Sequence, residues 1–317
     1  MKNYSSSTKV DNVYEYNKLS IEVAGIHLRN PLLLASGFLG ISQDIFNRLY
    51  KEEGLGAIVS KSVSVSPLEG YKGPTVVFLG EKGYINAIGL ANPGSDAFAN
   101  EINNNQTPLI VSIVGSSTSE FPKLISKFDK LNILGYEINL SCPHVAKMGM
   151  EVGDDPELVI KIIKTIKSKT KKPIIIKVGI GNTDILKLAT IIQESGADAI
   201  TAINTIRAMA INVETGMPIL SNKIGGLSGI PLKPIGIRCV YEISKKVAIP
   251  VIGCGGIFTW EDALEYILAG ATAIELGSVI GYEGLKAFNE IKLGIIRYLE
   301  KKGYKNIKEI VGLAHQY

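Results

Sequence analysis

Cysteine is scarce in this chain: Cys142, Cys239 and Cys254 are the only three in 317 residues. No two stand at metal-ligand spacing, so no metal site is expected. An odd count in a chain this large does not suggest a disulfide framework, and a reducing, cytoplasmic compartment fits best. Long apolar runs are also missing. The longest, such as 31–35 and 174–176, are far too short to cross a bilayer, so no membrane is called for. Residues 1–18 are polar and rich in Tyr, Asn and Ser, without the apolar stretch of a signal peptide. They read as a tail, and 19–317 as a single domain. Nor does charge of one sign dominate. The formal net charge is +4, the basic residues are scattered, and no basic stripe interleaves with aromatics. That excludes nucleic acid as a partner.

What is present describes a globular enzyme with a large core: 46% apolar and 20% charged residues, with Gly at 33. Short aliphatic runs alternate with loops and amphipathic stretches. Eight runs read as strands buried on both faces: Leu32–Ala35, Ala57–Ser60, Leu109–Ile113, Gly135–Asn139, Ile174–Val178, Ala199–Ile203, Val251–Gly253 and Ala273–Leu276. Helical periods cover Pro156–Ser168, Thr183–Ser195, Pro234–Lys246 and Trp260–Ala269, two of them ending in Gly-Ala at Gly196 and Gly270. Eight strand–helix units predict an α/β fold, a (β/α)8 TIM barrel, rather than an open doubly wound sheet. Two stretches break the alternation, Ser62 to Thr107 and Thr205 to Lys233. Insertions at the carboxyl ends of barrel strands are where such enzymes build active sites. Leu19–Leu28 alternates around Ala24-Gly25 and predicts a hairpin across the barrel floor.

The polar residues that interrupt the pattern fall at strand ends. Lys61 follows the second strand; Asn139, Ser141 and Cys142 end or follow the fourth; Asn204 and Thr205 follow the sixth. Lys177 lies inside the fifth. A lysine in an apolar strand costs several kcal/mol unless it meets an anion or acceptor. Two readings stand: pairing with a buried carboxylate, or reaching into the barrel mouth toward an electron-rich ligand. Gly255-Gly256 follow the seventh strand and Gly277-Ser278 the eighth, the positions at which barrels bind phosphate with backbone N–H groups. Tight turns would explain the same glycines. Cys142, among Asn, Ser and Pro on a Gly-bearing loop, suits an accessible acid, base or nucleophile. Cys254, flanked by glycines, reads as packing. His27 and His315 read as incidental.

The segments Asn139-Leu140-Ser141-Cys142-Pro143, Asn86 through Gly94 and Gly225-Gly226-Leu227-Ser228-Gly229 resemble those of class 1 dihydroorotate dehydrogenases. Ala35-Ser36-Gly37, Lys61-Ser62 and Asn204-Thr205 resemble them too, and the likeness runs from about Leu19 to about Gly281 in the family's order. Glu214 through Leu220 is similar to the subclass that works with a separate electron-transfer subunit. The resemblance implies FMN across the barrel mouth. Its phosphate would be held at Gly255, Gly256, Gly277 and Ser278. Ala35, Ser36, Gly37 and Ser62 would lie near the ring, with Lys61, Asn139 and Gly229 also among the cofactor residues. Lys177 would approach the flavin's electron-rich edge. Lys61, Asn86, Gly89, Leu90, Asn139, Asn204 and Thr205 would surround a dihydroorotate or orotate ring, Asn offering both donor and acceptor to ring amides. Cys142 would remove the C5 proton while hydride leaves C6 for the flavin, serving pyrimidine biosynthesis. The implied partner is a subunit carrying FAD and an iron–sulfur cluster, in a homodimer or heterotetramer.

The chain departs from the family after Cys-Pro, where His144 stands in place of the usual Asn, and at Ala91, often larger and polar. His144 resembles dihydropyrimidine dehydrogenases, so reduction of uracil or thymine is the alternative reaction. A Schiff-base aldolase using Lys61 or Lys177 is a more distant one.

Overall fold

The computed structural model describes residues 17–80, 82–140 and 152–317. The expected tail and the loop bearing Ser141, Cys142 and His144 lie outside the described residues, apart from the last two positions of the tail. The eight expected strands are present and close into a parallel barrel. They are β1 (Leu32–Leu34), β2 (Ala57–Val59), β3 (Leu109–Ile113), β4 (Gly135–Asn139), β5 (Ile174–Val178), β6 (Ala199–Ala202), β7 (Val251–Cys254) and β8 (Ala271–Leu276). β8 pairs back onto β1 through Ile274 and Leu32, which closes the ring.

One main helix follows each strand: α1 (Gln43–Lys51), α2 (Gly94–Glu101), α3 (Glu120–Phe128), α4 (Pro156–Lys167), α5 (Ile185–Glu194), α6 (Lys233–Lys246), α7 (Trp260–Leu268) and α8 (Lys286–Lys302). Their starts follow from local chemistry. Asp155 accepts from the Leu158 N–H ahead of Pro156, and Asp184 accepts from the Leu186 and Lys187 N–H groups. Thr259 and Asp262 form a reciprocal capping box on α7. The expected stops are also there: Gly196 and Gly270 adopt φ of 95° and 115°, which a side chain would oppose. Each helix turns an apolar stripe onto the barrel. Phe98 of α2, wholly buried, meets Phe46 of α1 and Phe128 of α3 edge to face.

The floor hairpin pairs Ile21–Val23 with Ile26–Leu28, turning at Ala24 and Gly25 with positive φ at both. The two irregular stretches do something the sequence did not disclose. The hairpin Val76–Leu79/Gly83–Asn86, inserted after β2, and the strands Ile206–Met209 and Ile224–Gly229, inserted after β6, join in one four-stranded antiparallel sheet. That sheet roofs the carboxyl end of the barrel.

Candidate active site

Between roof and barrel lies a cavity of about 580 Å³, within the ordinary range for ligand pockets. Its barrel side is supplied by strand ends and the residues just beyond them: Ser36, Gly37, Lys61, Ser62, Asn139, Lys177, Asn204 and Thr205. The roof contributes Tyr84, Asn86, Gly225, Gly226 and Ser228, and the loop after Asn86 contributes Gly89 and Leu90.

The amides are preset by hydrogen bonds. Asn204 Nδ2 donates to Asn139 Oδ1 at 3.1 Å, and Asn139 Nδ2 donates to Ser62 Oγ at 3.2 Å. Ser62 Oγ in turn lies 3.0 Å from Ser112 Oγ and 3.4 Å from Ser36 Oγ. Asn86 Nδ2 donates to the Gly226 carbonyl at 3.2 Å, tying the two halves of the roof together. Asn92 holds the adjacent loop: its Nδ2 donates to the Leu90 carbonyl at 2.8 Å while its Oδ1 accepts from the Gly94 N–H at 2.9 Å. Those bonds hold Leu90 at φ 58°, a conformation unfavourable for a side-chain-bearing residue. Thr205 crowds Gly226 so closely that any Cβ there would collide with its hydroxyl.

Two cations face this space in different states. Lys61 is partly buried, no carboxylate among the described residues lies within ion-pair reach of its ammonium, and burial pushes its pKa below the usual lysine value. Lys177 is buried at 4% exposure, and its Nζ sits 2.6 Å from Glu275 Oε2. Burial opposes its charge, but Cys254, Glu137 and Glu275 outweigh that and hold its pKa above the usual lysine range. Lys177 therefore pairs with a buried carboxylate, as one of its two sequence readings has it, and also lines the cavity.

Beneath the cavity floor, Glu137 of β4, Lys177 of β5, Thr201 of β6, Cys254 of β7 and Glu275 of β8 form a polar layer inside the barrel. Thr201 Oγ1 lies 3.3 Å from both Glu137 Oε2 and Glu275 Oε1. Burial, then the charge of Glu275, drive the Glu137 carboxyl well above the usual carboxylate range. Burial likewise pushes the Cys254 thiol up to about 12, which leaves it neutral and unreactive within this layer. The sequence reading missed Glu137 and Glu275. The signal was available, because each interrupts an apolar strand as Lys177 does.

A dihydroorotate dehydrogenase family profile matches residues 18–299. The chain belongs to the dihydroorotate dehydrogenase family. It is 44% identical over 300 residues to the catalytic subunit of dihydroorotate dehydrogenase B (NAD(+)) of Pyrococcus furiosus, covering 94% of this chain and 99% of that one. The subunit of the same name from Pyrococcus horikoshii is 45% identical over 298 residues, 93% and 97% of the two chains. That of Archaeoglobus fulgidus is 42% identical over 303 residues, 94% and 99%. Membership of the dihydroorotate dehydrogenase family implies a flavin cofactor.

All seven residues expected to surround the substrate line the one cavity: Lys61, Asn86, Gly89, Leu90, Asn139, Asn204 and Thr205. Of those expected to hold the cofactor, Ser36, Gly37, Lys61, Ser62, Asn139 and Lys177 also line it. Ala35, Gly229, Gly255, Gly256, Gly277 and Ser278 do not. Gly255 and Gly256 follow β7 with φ of 124° and 68°, a turn only glycine takes easily, and the Gly229 carbonyl stands close beside Gly256. Gly277 and Ser278 follow β8, where Tyr84 donates to the Ser278 carbonyl at 3.2 Å. Among the described residues no helix is long and apolar enough to cross a membrane.

Proposed function

We propose that this protein oxidises dihydroorotate to orotate on FMN in pyrimidine biosynthesis, passing the electrons to NAD+ through a partner subunit. The observation that carries the substrate is Lys61: a desolvated ammonium with no carboxylate partner among the described residues, beside the Asn139 and Asn204 amides. Together these groups match a ring with amide edges and one carboxylate. Uracil has the ring without the carboxylate and leaves Lys61 unanswered.

The cavity fits the flavin implied by the family. Gly37, at φ 98°, has nothing among the described residues within 4 Å of where a Cβ would stand, so there is open space at Gly37, which lines the cavity with Ser36 and Ser62. Lys177 supplies the cation at the floor. The glycine turns at 255–256 and 277–278 would hold the phosphate with backbone N–H groups. When bound, FMN supplies the acceptor for the C6 hydride of dihydroorotate. The chain's own residues do the rest. Asn139 and Asn204 orient the ring, the hydrogen-bonded loop at Leu90 caps it, and the roof excludes water. Cys142, outside the described residues, takes the C5 proton. The names of the relatives support NAD+ as final oxidant and, being those of catalytic subunits, a partner subunit; that the partner carries FAD and an iron–sulfur cluster is what the family resemblance implies.

The purified protein should be yellow and should bleach when dihydroorotate is added without air. Cys142→Ala should keep its colour yet bleach orders of magnitude more slowly. A colourless protein, or bleaching by dihydrouracil but not by dihydroorotate, would refute the assignment.

A further inference from the structure

The layer beneath Lys177 holds more acid than one lysine requires. Two glutamates from strands on opposite sides of the barrel, Glu137 and Glu275, converge there at 0% and 1% exposure. Only Glu275 meets the ammonium, at 2.6 Å. Among the described residues Glu137 Oε1 has no hydrogen-bond partner. A fully buried carboxylate oxygen with no donor is far costlier than a neutral carbonyl in the same place. Thr201 points the same way. Its hydroxyl lies 3.3 Å from each carboxyl but owns a single proton, so it can donate to only one of them. If both glutamates were ionised, one oxygen facing Thr201 would meet a lone pair. At neutral pH the remaining neighbour, Cys254, is an un-ionised thiol and brings no charge.

We propose that Glu137 and Glu275 hold one proton between them, and that this shared proton fixes Lys177 as an ammonium in a layer of zero net charge. The count is one cation, one carboxylate and one carboxylic acid. Glu137 and Glu275 are then positioning residues, acting on the cavity through Lys177. The pair is also interchangeable in charge. Losing either glutamate's acidity leaves the other as the sole counter-ion of Lys177, and it must ionise.

Infrared spectroscopy of protein carrying isotope-labelled glutamate tests this without reference to turnover. The wild-type protein should show a protonated-carboxyl stretch at neutral pH that does not titrate away across the neutral range. That band should vanish in Glu137→Gln and equally in Glu275→Gln, since the survivor ionises in each. A wild-type spectrum with no such band would overturn the proposal. So would a band that survives in Glu275→Gln, which would mean that the proton belongs to Glu137 alone. A second readout rests on the flavin reading and fails separately from it. Each single variant should hold flavin nearly as well as wild type. The double variant, with Lys177 stripped of any counter-ion, should hold it roughly tenfold or more weakly, the equivalent of about one pKa unit of lost pairing. Additive losses in the two single variants would contradict the shared proton.

Discussion

Replacing Lys61 by Met keeps most of the apolar stem and removes the ammonium. Lys61 Nζ has no ion-pair partner among the described residues, so the substitution strands no buried carboxylate and its cost falls on the ligand. A hydrogen bond to a charged group contributes about 1.5–3 kcal/mol, so orotate should bind roughly 10- to 150-fold more weakly. Titration of the flavin spectrum with orotate measures this, and uracil provides the internal comparison because it has no carboxylate to lose. The pH dependence has a definite sign. Burial depresses the Lys61 pKa, and the cationic form is the one that binds an anion. Wild-type affinity for orotate should therefore fall as pH rises through that lowered value, and Lys61→Met should show no such fall. Equal weakening of orotate and uracil would mean that Lys61 shapes the cavity rather than answering a carboxylate. No change in either would remove it from the site.

Other perturbations test the scaffold. Phe98→Ala removes a ring with 0% exposure from the aromatic row between α1 and α3. It should cost about 3–5 kcal/mol, which thermal denaturation would register as a Tm lowered by roughly 5–8 °C. Gly226→Ala puts a methyl group into the Thr205 hydroxyl. Isothermal titration should find orotate binding weakened about tenfold, at a stability cost of about 1–3 kcal/mol. Asp262→Ala strips the α7 capping box, orphans the Phe258 and Thr259 N–H groups and takes one partner from Lys233. Denaturant titration at neutral pH should show a loss of about 1–3 kcal/mol. Burial lowers the Lys233 pKa, but Asp262 and Glu265 outweigh it and raise the value overall. Its contribution is present in full below the ordinary lysine pKa and disappears as pH rises through the higher folded value. The gap between variant and wild type should accordingly narrow only in strong alkali.

The barrel was legible because each strand is a short apolar run buried on both faces, and the turn glycines at 196 and 270 marked where helices stop. Strand ends were less certain by a residue or two, and β8 begins two residues before the expected Ala273. Lys61, Asn139 and Asn204 stood out in the sequence because an amide or a lysine at the end of an apolar strand has no structural excuse there, whereas Asn86, Gly89 and Leu90 were singled out only by the family resemblance. The roof was not. Neither Gly83–Asn86 nor Ile224–Gly229 carries an alternation that names its partner, and the partner lies far along the chain. The acid pair escaped because Glu137 and Glu275 each stand alone in a short apolar strand, 138 positions apart in the chain. Only the closed barrel brings them face to face.

Asn86 and Gly226 are joined by a hydrogen bond across 140 positions of sequence. A chain emerging from the ribosome will have made Lys61, Asn139, Lys177 and Asn204 well before the strand that completes the lid over them. Contacts of such wide separation form late, because the intervening segment must be ordered first. The ring of strands closes through a pairing of still wider separation, Ile274 with Leu32, so roof and barrel closure both belong late in folding, and the site has no working form until both are made.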